Sequence, residues 1–253
     1  MQLAHTTDEG IGTQASFGLI VLQTDETIES EMARMMDISG VVLYHSRIPM
    51  QAEVSSETLL QMEKDLPASA ALFPTSLKLE VIGYGCTSAA TVIGPDGIAN
   101  AIRSVRPESK ITDPISATLS ACKFLGVKRI GFVTPYVAEV SAKMRGMLEQ
   151  NGHEVVAFGS FNESDDRVVA RITPNSILAA IEAVEAEAEC DAIFVACTNL
   201  RVAGLVEEAE RRIGKPVLSS NTALAWHMQK LAGIAPSNPR LGSLFADGAG
   251  ASA

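Results

Sequence analysis

Short apolar runs alternate with longer amphipathic stretches along the chain, and this alternation constrains the fold more than any other feature of the sequence. Ala, Val, Ile and Gly are frequent and aromatic residues make up only 5%, a composition typical of parallel strands that helices cover on both faces. We therefore predict an α/β fold with parallel sheets. Predicted strands cover 17–22, 40–45, 79–83, 129–133, 154–158 and 192–196, and predicted helices cover 26–36, 56–73, 95–104, 114–125, 137–151, 174–187, 201–213 and 222–231.

The second half of the chain repeats the first. Residues 17–21 align with 130–134, and similar phrases surround two cysteines and follow two lysines. Matches this short also arise by chance between unrelated strand–helix units, but the nearly constant spacing favours an internal duplication. The matched pairs are Gly18 with Gly131, Cys86 with Cys197 and Lys110 with Lys215, which lie 113, 111 and 105 residues apart.

A duplication predicts two pseudo-symmetric α/β halves, each with flavodoxin-like layers. Ligands of open parallel sheets bind beyond the carboxyl ends of the strands, so we expect the functional site in the cleft between the halves. The expected segments are a flexible N-terminus over 1–16, a first half over 17–113 plus 222–235, a second half over 114–221 and a C-terminal tail over 236–253.

Cys86 and Cys197 each follow an apolar run, in the phrases Gly85-Cys86-Thr87-Ser88 and Ala196-Cys197-Thr198-Asn199. Taken alone, either cysteine is explained as a small buried side chain. As a pair at the starts of helices, they predict two thiols whose pKa the helix dipole lowers toward working pH. Inversion or isomerisation at carbon without a cofactor needs one group on each face of the reacting atom, and two opposed thiols meet that need.

The composition excludes several classes of binding partner. A formal net charge of −10 argues against nucleic acid, whose binding depends on basic side chains. The four cysteines form no CxxC pair and no histidine stands at metal-ligand spacing, so we expect neither a metal nor disulfides. Cys122 and Cys190 are expected to be packing residues. The polar first 16 residues and the lack of a membrane-spanning stretch predict a cytoplasmic protein, and we expect a homo-oligomer, a dimer or larger.

These phrases resemble those of the aspartate/glutamate racemase superfamily, in particular its branch of maleate cis-trans isomerases and arylmalonate decarboxylases. The resemblance runs from about residue 17 to residue 233. The matching phrases are Gly18-Leu19-Ile20-Val21, Gly85-Cys86-Thr87-Ser88, Thr134-Pro135-Tyr136-Val137, Cys197-Thr198-Asn199-Leu200-Arg201 and Ser219-Ser220-Asn221-Thr222-Ala223-Leu224-Ala225-Trp226.

The resemblance implies a site in the cleft with no metal and no organic cofactor. In maleate isomerases, the cysteine matching Cys86 attacks the double bond and the one matching Cys197 donates a proton; the racemases use the two positions as paired bases. Arylmalonate decarboxylase has glycine at the first position, so Cys86 counts against simple decarboxylation. Small residues and hydroxyls near the cysteines, and the family pattern at Asn221, predict that substrate carboxylate is bound by Thr87, Ser88, Thr198, Asn199 and Asn221.

Two further residues have alternative interpretations. Tyr136 follows Thr134-Pro135 and either donates a hydrogen bond to a carboxylate or only packs. Asp25 stands where maleate isomerases have a carboxylate-binding Ser-Asn phrase, and it would repel a carboxylate there, whereas an amino or amidine group would suit it. Asp25 also suits an N-cap for the helix predicted to begin at Glu26. The Thr24-Asp25 phrase is similar to that of the ectoine-utilisation protein of this branch.

We therefore predict a cofactor-independent isomerase, of the racemase or cis-trans isomerase type, acting on a small carboxylic acid. Cys86 would be the nucleophile or base and Cys197 the opposing acid or base. The alternatives are an arylmalonate-type decarboxylase that uses Cys197 as proton donor, a racemase of ectoine or amino-acid derivatives, and a non-catalytic metabolite-binding module. The acidic run Glu163-Ser164-Asp165-Asp166 is predicted to be a solvated loop. The sequence leaves open the substrate, its stereochemistry and whether an intermediate is covalent.

Overall fold

The structure is a computed structural model that describes residues 1–50 and 56–246. Within this part the strands are β1 Ala15–Leu22, β2 Val41–Ile48, β3 Val81–Gly85, β4 Lys110–Thr112, β5 Arg129–Thr134, β6 Glu154–Ser160, β7 Ala192–Val195 and β8 Val217–Ser219. The helices are α1 Ile28–Met35, α2 Ser56–Ala71, α3 Thr87–Ile93, α4 Pro95–Arg103, α5 Pro114–Leu125, α6 Ala138–Gln150, α7 Asp166–Val169, α8 Pro174–Glu187, α9 Val206–Ile213, α10 Ser220–Leu231 and α11 Ser243–Ala246. Two 3₁₀ turns cover Ala203–Leu205 and Pro239–Leu241.

The strands form two four-stranded parallel sheets with the same connectivity. The first sheet has the order β2-β1-β3-β4, and the second has β6-β5-β7-β8, which is the same order four strands later. The predicted α/β class with two pseudo-symmetric parallel-sheet halves is therefore confirmed. The first strand of each sheet in chain order is a central strand. These strands, β1 and β5, are therefore buried, and their sequences are largely apolar.

The repeated glycines of β1 and β5 have a packing reason. A Cβ on Gly18 would lie 2.9 Å from the Phe73 ring, and a Cβ on Gly131 would lie 2.3 Å from Ile193 Cδ1. Both distances are too short for carbon–carbon contact, so a side chain at either position would displace a core residue. The duplicated phrase therefore marks an equivalent close approach in each half.

The sequence did not predict β4, β8, α3 or the four-residue helices α7 and α11. Strands β4 and β8 have three residues each, too short to show a periodic pattern. Helix α3 begins at Thr87 and its first five residues are all buried, so it lacks the polar face by which an amphipathic helix is recognised. The last predicted helix, expected from residue 222, begins two residues earlier at Ser220, and Ser219 and Thr222 form its capping box.

Helix α10 crosses from the second sheet to the first. It follows β8 but packs against β3, β4 and α5. The residue boundaries predicted for the two halves stay predictions, to which this packing adds support. The described part of the tail packs on α9 through the 3₁₀ turn at Pro239–Leu241, and Leu244 and Phe245 are buried. Residues 247–253 of the predicted tail lie outside the described residues.

Candidate active site

The two cysteines occupy equivalent places in the two sheets. Cys86 follows the last residue of β3 directly, and Cys197 follows the end of β7 by two residues. Since β3 and β7 are equivalent strands in their sheets, each thiol lies beyond the carboxyl end of a central strand. Both are almost fully buried, with Cys86 2% exposed and Cys197 3% exposed.

Hydrogen bonds join the two strand ends across the cleft. The Thr198 hydroxyl donates to Gly85 O at 3.3 Å, so the residue after one cysteine contacts the residue before the other. Ser220 Oγ accepts from Cys197 N at 3.0 Å and from the Thr87 hydroxyl at 2.8 Å. These bonds bring both cysteines to one place between the halves. The sequence analysis missed Ser220 as the residue that links them.

Cys86 is the N-cap of α3. Its Sγ accepts from Ala89 N at 3.3 Å and lies 3.5 Å from Ser88 Oγ. Burial raises the pKa of the Cys86 thiol to about 11, although the contacts with Ser88 and Ala89 lower it, and the charges of Asp166 and Asp25 raise it further. The prediction that the helix start lowers the pKa of this thiol toward working pH is therefore wrong, because the loss of hydration outweighs the hydrogen-bond donors.

Cys197 has a strained backbone. Its φ is 110°, which a residue with a side chain rarely adopts. Asn199 N donates to its Sγ at 3.4 Å, and the Tyr136 hydroxyl contacts the same sulfur. Burial raises the pKa of Cys197 well above its ordinary value. Burial also raises the pKa of Tyr136, as do the neighbouring Cys197 and Cys86 thiols, so this phenol lies near both sulfurs.

The two carboxylate oxygens of Asp25 differ in their partners. Oδ1 accepts from Thr27 N at 2.7 Å and from Ile28 N at 2.8 Å, so it binds backbone N–H groups at the start of α1. The helix begins at Ile28 with Thr27 as its N-cap, however, and not at Glu26 with Asp25 as its N-cap as predicted. Oδ2 is buried and has no hydrogen-bond partner among the described residues. Burial raises the pKa of Asp25 to about 6, against the lowering effect of the Ile28 and Thr27 N–H groups and of the nearby Thr198 hydroxyl, which donates to Gly85 O.

Asp166 was predicted to lie in a solvated loop, and that prediction is wrong. It is 6% exposed, and its Oδ2 accepts from the Thr24 hydroxyl at 2.5 Å. Its charge raises the pKa of both Cys86 and Cys197, so it belongs to the surroundings of the thiols. Nothing in the sequence distinguished it from the acidic residues before it, since the bond to Thr24 joins positions 142 residues apart.

Asn199 forms hydrogen bonds that connect the loops around the site. Its Oδ1 accepts from Glu26 N at 2.9 Å, and its Nδ2 donates to Asp166 O at 2.9 Å. The Thr27 hydroxyl donates to Asn199 O at 3.0 Å. In this structure the amide therefore holds protein groups from both halves, and only one hydrogen of Nδ2 is left for a ligand.

Asn221 has both amide hydrogens engaged. Its Nδ2 donates to Glu31 Oε2 and to Thr198 O, each at 2.8 Å, whereas its buried Oδ1 has no partner among the described residues. Glu31 also accepts from Ala203 N at 2.9 Å. Burial raises the pKa of Glu31 to about 7, against the lowering effect of these donors. Glu31 was missed, although a glutamate beside Met32 on the buried face of α1 is a detectable signal.

The predicted residues therefore gather at one place, the junction of the strand ends. The structure brings together Cys86, Cys197, Asp25, Thr87, Ser88, Tyr136, Thr198, Asn199 and Asn221, and adds Asp166, Glu31 and Ser220. Among residues 1–50 and 56–246, no group of three His, Cys, Asp or Glu side chains could bind a metal ion. Across the same residues, every helix is too short or too polar to span a bilayer.

Known proteins resemble the chain in sequence and in fold. The maleate isomerase of Nocardia farcinica is 26% identical over 238 residues, covering 90% of this chain and 94% of the relative. The maleate isomerase Iso from Pseudomonas putida S16 superposes with a TM-score of 0.84 at 23% identity, covering 92% of this chain and 99% of that structure. This likeness confirms the fold of two parallel-sheet halves.

A structure from Nocardia farcinica contains an intermediate. It is a cysteine-to-serine mutant of the Nocardia farcinica maleate cis-trans isomerase, with a covalently bound succinylcysteine intermediate. It superposes with a TM-score of 0.81 at 25% identity and covers 91% of this chain and 98% of that structure. The family model described as arylmalonate decarboxylase matches residues 105–245, more than half of the chain. The resemblance seen in the sequence is thus confirmed: the chain belongs to the arylmalonate decarboxylase family.

Proposed function

We propose that the protein is a cofactor-independent isomerase in which Cys86 and Cys197 act on opposite faces of a small carboxylic acid. The observation that carries the proposal is the pair of buried thiols at equivalent strand ends, joined through Ser220. Each thiol follows a central strand of its own sheet, so the two approach the junction from different halves. A bound molecule at that junction would have one sulfur on each side.

The proposed reaction needs only proton transfer between sulfur and carbon. The Cys86 thiolate takes a proton from the substrate carbon, so an S–H bond forms as the C–H bond breaks. The electron pair moves onto the carboxylate, where the Ser88 hydroxyl and the remaining hydrogen of the Asn199 amide would stabilise it. Cys197 then gives its proton to the opposite face, which leaves the centre inverted and the thiolate on Cys197. Nothing is oxidised or reduced.

A related path adds the thiolate to a double bond. The Cys86 sulfur would form a C–S bond, Cys197 would protonate the neighbouring carbon, and rotation followed by elimination would give the other isomer. The succinylcysteine intermediate in the Nocardia farcinica relative supports this path, since it is a covalent bond between a cysteine and the substrate skeleton. Both paths assign the same two sulfurs, and the substrate decides between them.

One assay separates isomerisation from carbon–carbon cleavage. The protein is incubated in D₂O, without metal, with amino acids of both hands, maleate and an arylmalonate; isomer ratio, deuterium uptake and CO₂ release are followed. The proposal expects interconversion without CO₂. Cys86→Ser and Cys197→Ser should each lower turnover by about 10²- to 10⁴-fold, the usual contribution of a proton-transfer group.

Matched controls come from the other two cysteines. Cys122 and Cys190 are also buried, but Cys122 lies within α5 and Cys190 lies before β7 at its amino end, so Cys122→Ser and Cys190→Ser should keep turnover. A Cys86→Gly variant that keeps full turnover with CO₂ release would refute the two-thiol isomerase. It would favour the decarboxylase that the matching family model describes.

The biological setting stays a prediction. The relatives named as maleate isomerases support a small carboxylate as partner. The homo-oligomer and the cytoplasmic location rest on the sequence alone. A sedimentation experiment on the purified chain tests the first of these, and a single species at the mass of one chain would contradict it.

A further inference from the structure

Two buried atoms of the candidate site have no partner among the described residues, and both are hydrogen-bond acceptors. They are Asp25 Oδ2 and Asn221 Oδ1, on side chains whose residues are 3% and 1% exposed. Both belong to the surroundings of Thr198: the Thr198 hydroxyl lies near Asp25, and Asn221 donates to Thr198 O. The turn that follows Cys197 therefore has two unsatisfied acceptors beside it.

The orientation of the Asn221 amide follows from its neighbours. Thr198 O is a carbonyl and only accepts, so the atom of Asn221 that faces it must be the nitrogen. The same nitrogen donates to Glu31 Oε2, and this oxygen would repel a carbonyl if the amide were reversed. Both amide hydrogens are thus taken. Asn221 has only an acceptor to offer a ligand, which contradicts its predicted role as a donor to carboxylate.

A carboxylate placed beside these acceptors would receive no hydrogen from either of them and would be close to the charge of Asp166, which interacts with Asp25. A group that carries several N–H donors and a positive charge is the kind that satisfies buried acceptors of this type, and both acceptors lie near Glu31, which receives a hydrogen bond from Asn221 and interacts with the charge of Asp25. We propose, building on the isomerase function above, that the substrate carries a protonated nitrogen, an ammonium or amidinium group, which Asp25 and Asn221 bind. The substrate class is then an amino- or amidino-carboxylic acid.

The surroundings of the thiols agree with a cationic substrate. Burial raises the pKa of Cys86 and Cys197, and the charges of Asp25 and Asp166 raise it further. A cation bound beside Asp25 offsets those negative charges, which favours the thiolate that proton abstraction needs. The same carboxylates disfavour a dicarboxylate ligand, whose charge would add to theirs. Binding of such a cation would therefore lower the pKa of both thiols.

Three probes of similar length test how much a protonated nitrogen contributes to binding. β-Alanine, butyrate and succinate share a carboxylate and a two-methylene chain, and they end in an ammonium, a methyl and a second carboxylate. Their dissociation constants for the wild-type protein are measured by calorimetry, which needs no turnover. We expect β-alanine to bind at least about tenfold more tightly than butyrate or succinate, as for a charged hydrogen bond in a buried site.

Two variants test whether Asp25 and Asn221 cause the preference for β-alanine. Asp25→Asn keeps an oxygen that can accept from the N–H groups at the start of α1 but removes the charge. It should weaken the binding of β-alanine about tenfold and leave the binding of butyrate unchanged. Asn221→Ala should also weaken the binding of β-alanine more than the binding of butyrate. The control is Asp191→Asn, whose exposed carboxylate accepts from Lys128 N and Arg129 N outside the site.

The outcomes separate this inference from the isomerase proposal. Succinate or butyrate binding as tightly as β-alanine, or no detectable binding of β-alanine, overturns the nitrogen site. The wild-type comparison gives this answer even if a variant fails to fold. Tight β-alanine binding without any isomerase activity would overturn the two-thiol function and keep the nitrogen site. Isomerisation of maleate together with tighter binding of succinate would support the two-thiol function and overturn the nitrogen site.

Discussion

The backbone of Cys197 makes an unusual prediction about stability. Its φ of 110° lies where only glycine is unstrained, whereas Cys86 has an ordinary extended φ of −147°. A side chain held in such a region costs about 1–3 kcal/mol. Replacing each cysteine by alanine and by glycine therefore compares the same two changes at one strained and one relaxed position.

The expected magnitude follows from two opposing effects. Glycine in place of alanine normally destabilises a compatible site by about 0.4–1 kcal/mol, because the unfolded chain gains freedom. At Cys197 the relief of about 2 kcal/mol of strain outweighs that cost, so Cys197→Gly should be more stable than Cys197→Ala by about 1 kcal/mol. At Cys86 the order should be the ordinary one, with Cys86→Ala the more stable by about 0.4–1 kcal/mol.

The assay is equilibrium unfolding in urea of the four variants, compared within each pair. Alanine and glycine both remove the sulfur, so its packing and its hydrogen bonds cancel within a pair. The reasoning is refuted if Cys197→Gly is less stable than Cys197→Ala, or if both positions show the same order. Either result would mean that the positive φ stores no strain.

Three further predictions concern buried polar groups. Ser220→Ala removes the acceptor of two buried donors and should lower the free energy of unfolding by about 1–3 kcal/mol, whereas Ser104→Ala at an exposed hydroxyl should change it by less than about 0.5 kcal/mol; urea unfolding measures both. Asp113 caps α5 through Ile115 N and a further backbone N–H, so Asp113→Ala should cost about 0.5–2 kcal/mol while Asp113→Asn costs less, and equal losses would contradict the cap. Burial raises the pKa of Glu31 from 4.5 to about 7, so the folded state holds its proton more tightly than the unfolded state. Its contribution to stability is therefore full below about pH 4.5 and falls as pH rises toward 7. The stability of wild type relative to Glu31→Gln should fall over that range, and a pH-independent difference would contradict the shift.

The sequence predicted the fold where a pattern repeats locally. The apolar runs and the matched glycines at 18 and 131 identified the sheets and their duplication, because close packing imposes the same residue types on both halves. The paired cysteines at 86 and 197 were found for the same reason. Helix α3 and strands β4 and β8 were missed because full burial or short length removes periodicity.

The electrostatics of the site could not be predicted from local patterns. Asp166 is buried by a contact with Thr24 from the other half, and the orientation of Asn221 depends on Glu31, 190 residues away in the chain. Burial also reversed the expected effect on the Cys86 thiol, since a helix start can be read from the sequence but the loss of hydration cannot. These are long-range consequences of how the halves close on each other.

If the Cys86 and Cys197 sulfurs act on one bound molecule, they lie close enough for a bifunctional thiol reagent to join them. 1,3-Dichloroacetone joins two nearby thiols through a three-carbon bridge, with loss of two chlorides. After reaction of the folded protein, denaturation and iodoacetamide treatment, peptide mapping by mass spectrometry should show Cys86 and Cys197 in one bridge, with Cys122 and Cys190 carrying iodoacetamide. Separate single modification of Cys86 or Cys197, with the other captured by iodoacetamide, would contradict the claim that both sulfurs act on one molecule.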